Sequence, residues 1–248
     1  MDLSASSFSA CLLLIAMIYA SVGQAGASGY VAIMGLAGME PQAIKLSALA
    51  LNLLVAAIGT AYFWRSGRLS WRAAYPFAIL GFPFSLLGGA VHLAPQVYVP
   101  VVGIILILSA GLMGRSLLKA ATDGGGAVSP PPFLAALLTG AAIGFISGVT
   151  GTGGGVFLAP IIIARGWGSA RQTATTTAVY NLMNSAAALL GAYRSWDQFP
   201  AALPWWLLAV GVGGGLGAML GSRYLPERVS RGVLALLLLV SGVKLLLD

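Results

Sequence analysis

The chain has 248 residues, 58% of them hydrophobic and 8% charged, and 13 basic against 6 acidic side chains give a formal charge of +7. Soluble domains carry about 25% charged residues, whereas here no charge falls between Asp2 and Glu40, between Arg72 and Arg115 or between Asp123 and Arg165. A soluble fold could not cover its surface from this supply, and basic residues scattered singly or in threes form no stripe for a nucleic acid.

Ten apolar segments are predicted, at 7–22, 27–38, 43–64, 73–93, 98–118, 133–149, 152–165, 172–193, 202–221 and 230–247. They lack the alternation of barrel strands, so in hydrocarbon they read as helices. The first follows Met-Asp-Leu-Ser with no basic stretch before it, and is therefore expected to be a retained membrane segment rather than a secretory signal. It holds Cys11, the single cysteine, and His92 is the single histidine. Iron–sulfur and zinc–thiolate sites are thereby excluded, and no cofactor or metal is expected. A glycine-containing stretch with Gly23, Gln24, Gly26, Ala27 and Ser28 divides this segment from 27–38.

Segments 43–64, 73–93 and 98–118 have 21 or 22 residues, enough to cross roughly 30 Å of hydrocarbon. The first of them offers Ser47 and Asn52 as polar groups inside the bilayer. Residues 121–132, with Gly124, Gly125, Gly126 and Pro130, Pro131, Pro132, read as a cytoplasmic linker. A second short pair follows, 133–149 and 152–165, divided by Gly148-Val-Thr-Gly-Thr-Gly-Gly-Gly155. Next comes 172–193, where Thr177, Asn181, Asn184 and Ser185 recur at helical spacing and are expected on one side. The run Gly213, Gly214, Gly215 in 202–221 has no polar neighbours, and helix packing is its expected role.

Charge placement sets the expected topology. With Arg65, Arg68 and Arg72 cytoplasmic, and each short pair contributing an even number of crossings, ten of the 13 basic residues fall inside, leaving Lys45, Arg194 and Lys244 outside. Both termini then lie on the periplasmic side. Each half holds one short pair plus three full crossings, an odd total, so residues 1–120 and 133–248 are expected as two membrane repeats inserted upside down to one another. Shifting the first half by 128 positions places Gly23 on Gly151, Gly26 on Gly154 and Gly38 on Gly166, with Asn52 one position short of Asn181. The fold expected is an all-α polytopic membrane protein, an inverted repeat of two five-segment halves. Each half has a broken or re-entrant pair plus three transmembrane helices.

The second break carries the richest signal. It lacks the Lys-Ser/Thr ending of a phosphate loop and follows no soluble strand, which disfavours a nucleotide site. Glycines let two half-helices meet and leave peptide N–H groups open, and the next half-helix presents its positive end. An anion can dock there without a charged side chain. The expected substrate-binding set is Gly23, Gln24, Gly26, Ser28, Ser47, Asn52, Thr150, Gly151, Thr152, Gly153, Gly154, Gly155, Thr177, Asn181, Asn184 and Ser185. Of these, Asn184 is expected to be indispensable for transport and dispensable for expression. Acidic residues are confined to loops and termini, which argues against a carboxylate relay and suits an anionic cargo. No activated nucleophile or ligand cluster supports an intramembrane enzyme.

The chain resembles the TauE/SafE family of sulfite exporter and sulfonate permease-like membrane proteins. The likeness rests on Gly148-Val-Thr-Gly-Thr-Gly-Gly-Gly155 with Pro160, on Thr175, Thr176, Thr177 and Asn184-Ser185, and on weaker copies at 23–29 and 48–54. It implies secondary transport of a small sulfur-containing anion, such as sulfite, sulfoacetate or another organosulfonate, across the bacterial inner membrane. A channel-like pore and a carrier of a non-sulfur organic anion are the alternatives. The expected partners are the anion and the lipid bilayer, with no nucleic acid, and assembly into a homo-oligomer is left open. Gln24, Ala25 and Ala27 replace the richer glycine run, so the two breaks are expected to contribute unequally.

Overall fold

Each apolar segment is a helix in the computed structural model, which describes residues 5–67, 69–122, 129–224 and 227–247. The helices are α1 (Ala5–Ser21), α2 (Ala27–Leu36), α3 (Pro41–Arg65), α4 (Trp71–Ala90), α5 (Pro95–Thr122), α6 (Phe133–Thr150), α7 (Gly155–Ala164), α8 (Ala170–Gly191), α9 (Leu203–Tyr224) and α10 (Glu227–Leu247). A 3-10 turn, Tyr193–Gln198, follows α8. Half of the expected linker, 123–128, lies outside the described residues.

Starts and stops follow local chemistry. Pro41 opens α3, where its missing N–H costs nothing. Ser169 and Gln172 form a reciprocal capping box at the start of α8. Gly38 and Gly166, each just beyond the end of a short helix, take φ of 70° and 65°, the left-handed region that glycine occupies without penalty.

Among the described residues, α3, α4, α5 over Pro95–Arg115 and α6 are long and apolar enough to cross a membrane. One expected length is thereby revised, and one expected span is set apart by its polarity. The first segment of the second short pair, α6, is itself span-sized at 18 residues. The 22 residues of α8 are long enough but too polar. Its polarity is sheltered by protein rather than by lipid, since α8 packs against α3, α4, α6 and α7. Along it Thr173, Thr175, Thr176, Thr177, Asn181, Asn184 and Ser185 are all buried. The outward surface is apolar instead: Leu14, Leu87, Leu134, Leu208 and Leu236 are each at least half exposed, as lipid-facing side chains should be.

Lipid tails supply no hydrophobic drive between helices, so association depends on close packing and internal hydrogen bonds. Two seams provide the packing. Gly140, Gly144 and Gly148 of α6 stand against the backbone of Phe77, Gly81 and Ser85 of α4, where any Cβ would overlap the facing carbonyl. Gly213 and Gly217 of α9 stand likewise against Leu13 and Met17 of α1. Gly214 faces Val55, whereas Gly215 has no neighbour within 4 Å. The long helices α5 and α10 pack together, α3 packs on α9, and α3 and α8 meet beside the two short helices α2 and α7.

Candidate functional site

Both short pairs break at glycines whose backbone excludes other residues. Gly23 (φ 77°) and Gly26 (φ 96°) carry the chain from α1 to α2, and Gly151 (φ 77°) and Gly153 (φ 70°) carry it from α6 to α7. An L-residue in this left-handed region costs about 1–2 kcal/mol. The second pair is a hairpin. Ser129 N–H donates to Gly166 O at 3.0 Å, so the residues before α6 and after α7 lie together. The 10 residues of α7 extend only about 15 Å.

An asparagine from the next helix caps the returning helix of each pair. Ala27 N–H, at the start of α2, donates to Asn52 Oδ1 at 3.0 Å, and Gly155 N–H, at the start of α7, donates to Asn181 Oδ1 at 2.7 Å. Ordinary N-caps reach forward along their own helix. Here the cap comes from about 25 residues further on, because the chain has folded back across the break. The ladder resumes within the first turn, with Tyr30 N–H donating to Gly26 O at 3.0 Å and Phe157 N–H to Gly154 O at 3.2 Å, and the starts of α2 and α7 carry their positive ends.

The breaks touch. A Cβ added to Gly153 would stand 2.8 Å from Ala27 Cβ and 3.2 Å from the Asn52 amide nitrogen. Between them lies a pocket of only about 10 Å³, lined by Tyr19, Gln24, Gly26, Ser28, Asn52, Thr152, Gly153, Gly155 and Asn181. No charged side chain lines it. Ser28 Oγ and Tyr19 OH are 2.8 Å apart, and Thr152 Oγ1 is 2.9 Å from Thr150 Oγ1. Asn52 Nδ2 is spent on Ser185 Oγ at 2.7 Å, while the Asn181 amide borders the pocket beside Gly155. The arrangement offers hydroxyl, carboxamide and peptide N–H donors to a small anion.

Of the expected binding residues, Gln24, Gly26, Ser28, Asn52, Thr152, Gly153, Gly155 and Asn181 therefore share one pocket. The others stand outside its lining. Gly23 packs on Ala174 and Gly151 on the Lys45 backbone, and Gly154 makes room for the Tyr180 ring. Thr150 braces Thr152, its own hydroxyl lying 2.8 Å from Ile146 O. Ser185 receives the Asn52 amide, and the buried Ser47 hydroxyl has no hydrogen-bond partner among the described residues. Thr177 donates to Thr173 O at 2.9 Å. Asn184 Nδ2 donates to Ser147 Oγ, tying α8 to α6, and its Oδ1 has no partner among the described residues. The expected single polar face of α8 is thus divided. Three residues leave Asn184 about 60° around the helix from Asn181, enough to address α6 instead of the breaks.

Sequence reasoning passed over Tyr19, Tyr30 and Tyr98, counted Tyr180 only among the polar residues of segment 172–193, and did not expect Lys45 to be buried. Tyr19 lines the pocket, and Tyr30 OH donates to Ala25 O at 3.0 Å beneath Gly26. Tyr98 OH donates to Thr150 O at 2.8 Å, and Tyr180 OH to Gly140 O at 2.7 Å. Of these only Tyr180 sits well inside its apolar run, where a hydroxyl must find a partner; Tyr98 opens segment 98–118 and reads from the sequence as an interfacial residue. Lys45, counted above as an outer charge, is 1% exposed inside α3. Its ammonium donates to Gly89 O at 2.7 Å, Val91 O at 2.8 Å and Gly88 O at 3.3 Å. It thus closes the carbonyl end of α4. A charge falling within segment 43–64 itself was the available clue.

A family model described as "Sulfite exporter TauE/SafE" matches residues 8–245. The "Probable membrane transporter protein y4hK" of Sinorhizobium fredii (strain NBRC 101917 / NGR234) is 58% identical over 246 residues, covering 99% of this chain and all of that one. No solved structure matches the chain.

Proposed function

We propose, from the premise that the chain belongs to the sulfite exporter TauE/SafE family of membrane transporters, that it is a secondary carrier for a small sulfur-containing anion. Sulfite, sulfoacetate or another organosulfonate would cross the bacterial inner membrane by alternating access. The carrying observation is the pair of asparagine-capped helix starts, α2 and α7, that meet at the glycine breaks. Their donors are neutral, and a site closed to water strengthens each hydrogen bond they make.

The same reading takes residues 1–120 and 133–248 as inverted repeats. It is supported by matched details: Gly23 and Gly151 share a φ of 77°, and Asn52 and Asn181 do the same work. Helix neighbours also exchange when each helix is replaced by the one five later. The α1–α9 pair becomes α6–α4, α2–α3 becomes α7–α8, and α5–α10 maps onto itself. Both termini would be periplasmic and the arginine-bearing ends of α3, α4 and α7 cytoplasmic. The pocket has room for about one water, so loading it requires the breaks to part, the motion that alternating access supplies.

Flux into proteoliposomes containing the purified protein tests the assignment, comparing sulfite, sulfoacetate, thiosulfate and sulfate with and without a pH gradient. Saturable flux with counterflow is expected for at least one sulfur anion. Flux without saturation or counterflow would favour a pore, and saturable flux confined to non-sulfur organic anions would replace the cargo.

A further inference from the structure

A second cavity of about 460 Å³ opens where α4, α6 and α8 begin and α7 ends. It shares no lining residue with the pocket between the breaks. Its walls are aromatic. Tyr75 and Phe133 pair with ring centres 6.3 Å apart, and Phe77 and Trp167 pair at 6.2 Å. Arg72 lies in the lining, and the Arg165 guanidinium stands 5.9 Å from the Trp167 ring centre. No acidic residue lines the space.

One polar group inside it is unexplained by packing. On α8, the hydroxyls of Thr173, Thr175 and Thr177 each donate to a carbonyl three or four residues back, the usual fate of a threonine in a helix. Thr176 borders the cavity, is only 3% exposed, and its hydroxyl has no hydrogen bond among the described residues. The hydroxyl is not fully buried, so it opens into the cavity and is available to a ligand. One turn further along α8 stands Tyr180, its hydroxyl held by Gly140 O and its ring against Gly154.

We infer that this cavity is a second anion-binding site, for a molecule with an anionic head group and an apolar body. The Thr176 hydroxyl donates to the head group, Arg72 supplies the attracting charge, and the paired rings enclose the body. A bare inorganic anion would leave the aromatic walls without a partner. A soluble aromatic sulfonate and an anionic lipid share the required chemistry. The site does not rest on the carrier reading, since none of its residues belongs to the pocket between the breaks.

Equilibrium binding of radiolabelled 2-naphthalenesulfonate to the protein in phosphatidylcholine nanodiscs tests the site. Saturable binding is expected, weakened about tenfold or more by Thr176→Val and by Arg72→Gln, with inorganic sulfate competing poorly. Asn181→Leu, which alters the central pocket, should leave it unchanged. Thr176→Val is nearly isosteric, and an unchanged melting temperature separates lost binding from lost folding. Nanodiscs containing phosphatidylglycerol identify the natural occupant. Competition by that lipid in the wild type assigns the site to a lipid head group, and undiminished binding assigns it to a soluble anion. Absence of saturable binding, or binding abolished by Asn181→Leu but kept by Thr176→Val, would overturn the inference.

Discussion

Gly153→Ala places a methyl group at the point where the two breaks touch. The residue sits at φ 70°, where a side chain costs about 1–2 kcal/mol. The new carbon would stand 2.8 Å from Ala27 Cβ, well inside the roughly 3.5–4.0 Å of a relaxed carbon contact. Overpacking of this kind adds about 1–3 kcal/mol, for a total of about 2–5 kcal/mol. In a chain of this size that lowers the melting temperature by roughly 4–20 °C. Relief of the overlap would push Ala27 and Asn52 away from the α7 start, so sulfur-anion flux should fall as well. The assay is thermal unfolding of the purified protein paired with proteoliposome flux, with Gly215→Ala as the control because nothing lies within 4 Å of Gly215. A Gly153→Ala protein that melts and transports like the wild type would refute the juxtaposition of the breaks.

Other substitutions separate capping from packing. Asn52→Leu and Asn181→Leu each strand one buried helix-start amide, of Ala27 and Gly155 respectively, at about 1–3 kcal/mol. Both should reduce transport, and Asn52→Leu should melt lower because Ser185 also loses its donor. Asn184→Leu, expected from the sequence to stop transport, cuts the link to Ser147 instead. Its predicted outcome is a lower melting temperature with the KM for the anion within about twofold of wild type, given the near-additivity of separate sites. Lys45→Met strips the donor from three carbonyls at the end of α4. It should destabilise by about 2–4 kcal/mol, visible in thermal unfolding.

The helices were legible because an apolar run bounded by glycine, proline or charge has few alternatives in a bilayer. The breaks were legible because left-handed backbone requires glycine. What each glycine does was less so. Within Gly148-Val-Thr-Gly-Thr-Gly-Gly-Gly155, Gly151 and Gly153 turn the chain, whereas Gly148 lets α6 approach Ser85 of α4. That distinction is set by a helix more than 60 residues earlier in the chain. The two asparagines were identified, but not their bonds to the helix starts, which depend on how the hairpins fold back. The polarity of α8 was visible, yet only its surroundings decide that Asn181 faces the breaks, Asn184 faces α6 and Thr176 faces the second cavity.

Equilibrium binding of isotopically labelled sulfoacetate to the purified protein, compared with a folded Asn52→Leu/Asn181→Leu double variant, addresses the central claim most directly. One saturable site per chain, lost in the double variant, is the predicted result. Equal binding by both proteins, or none by the wild type, would contradict an anion cradle built from the two capped helix starts.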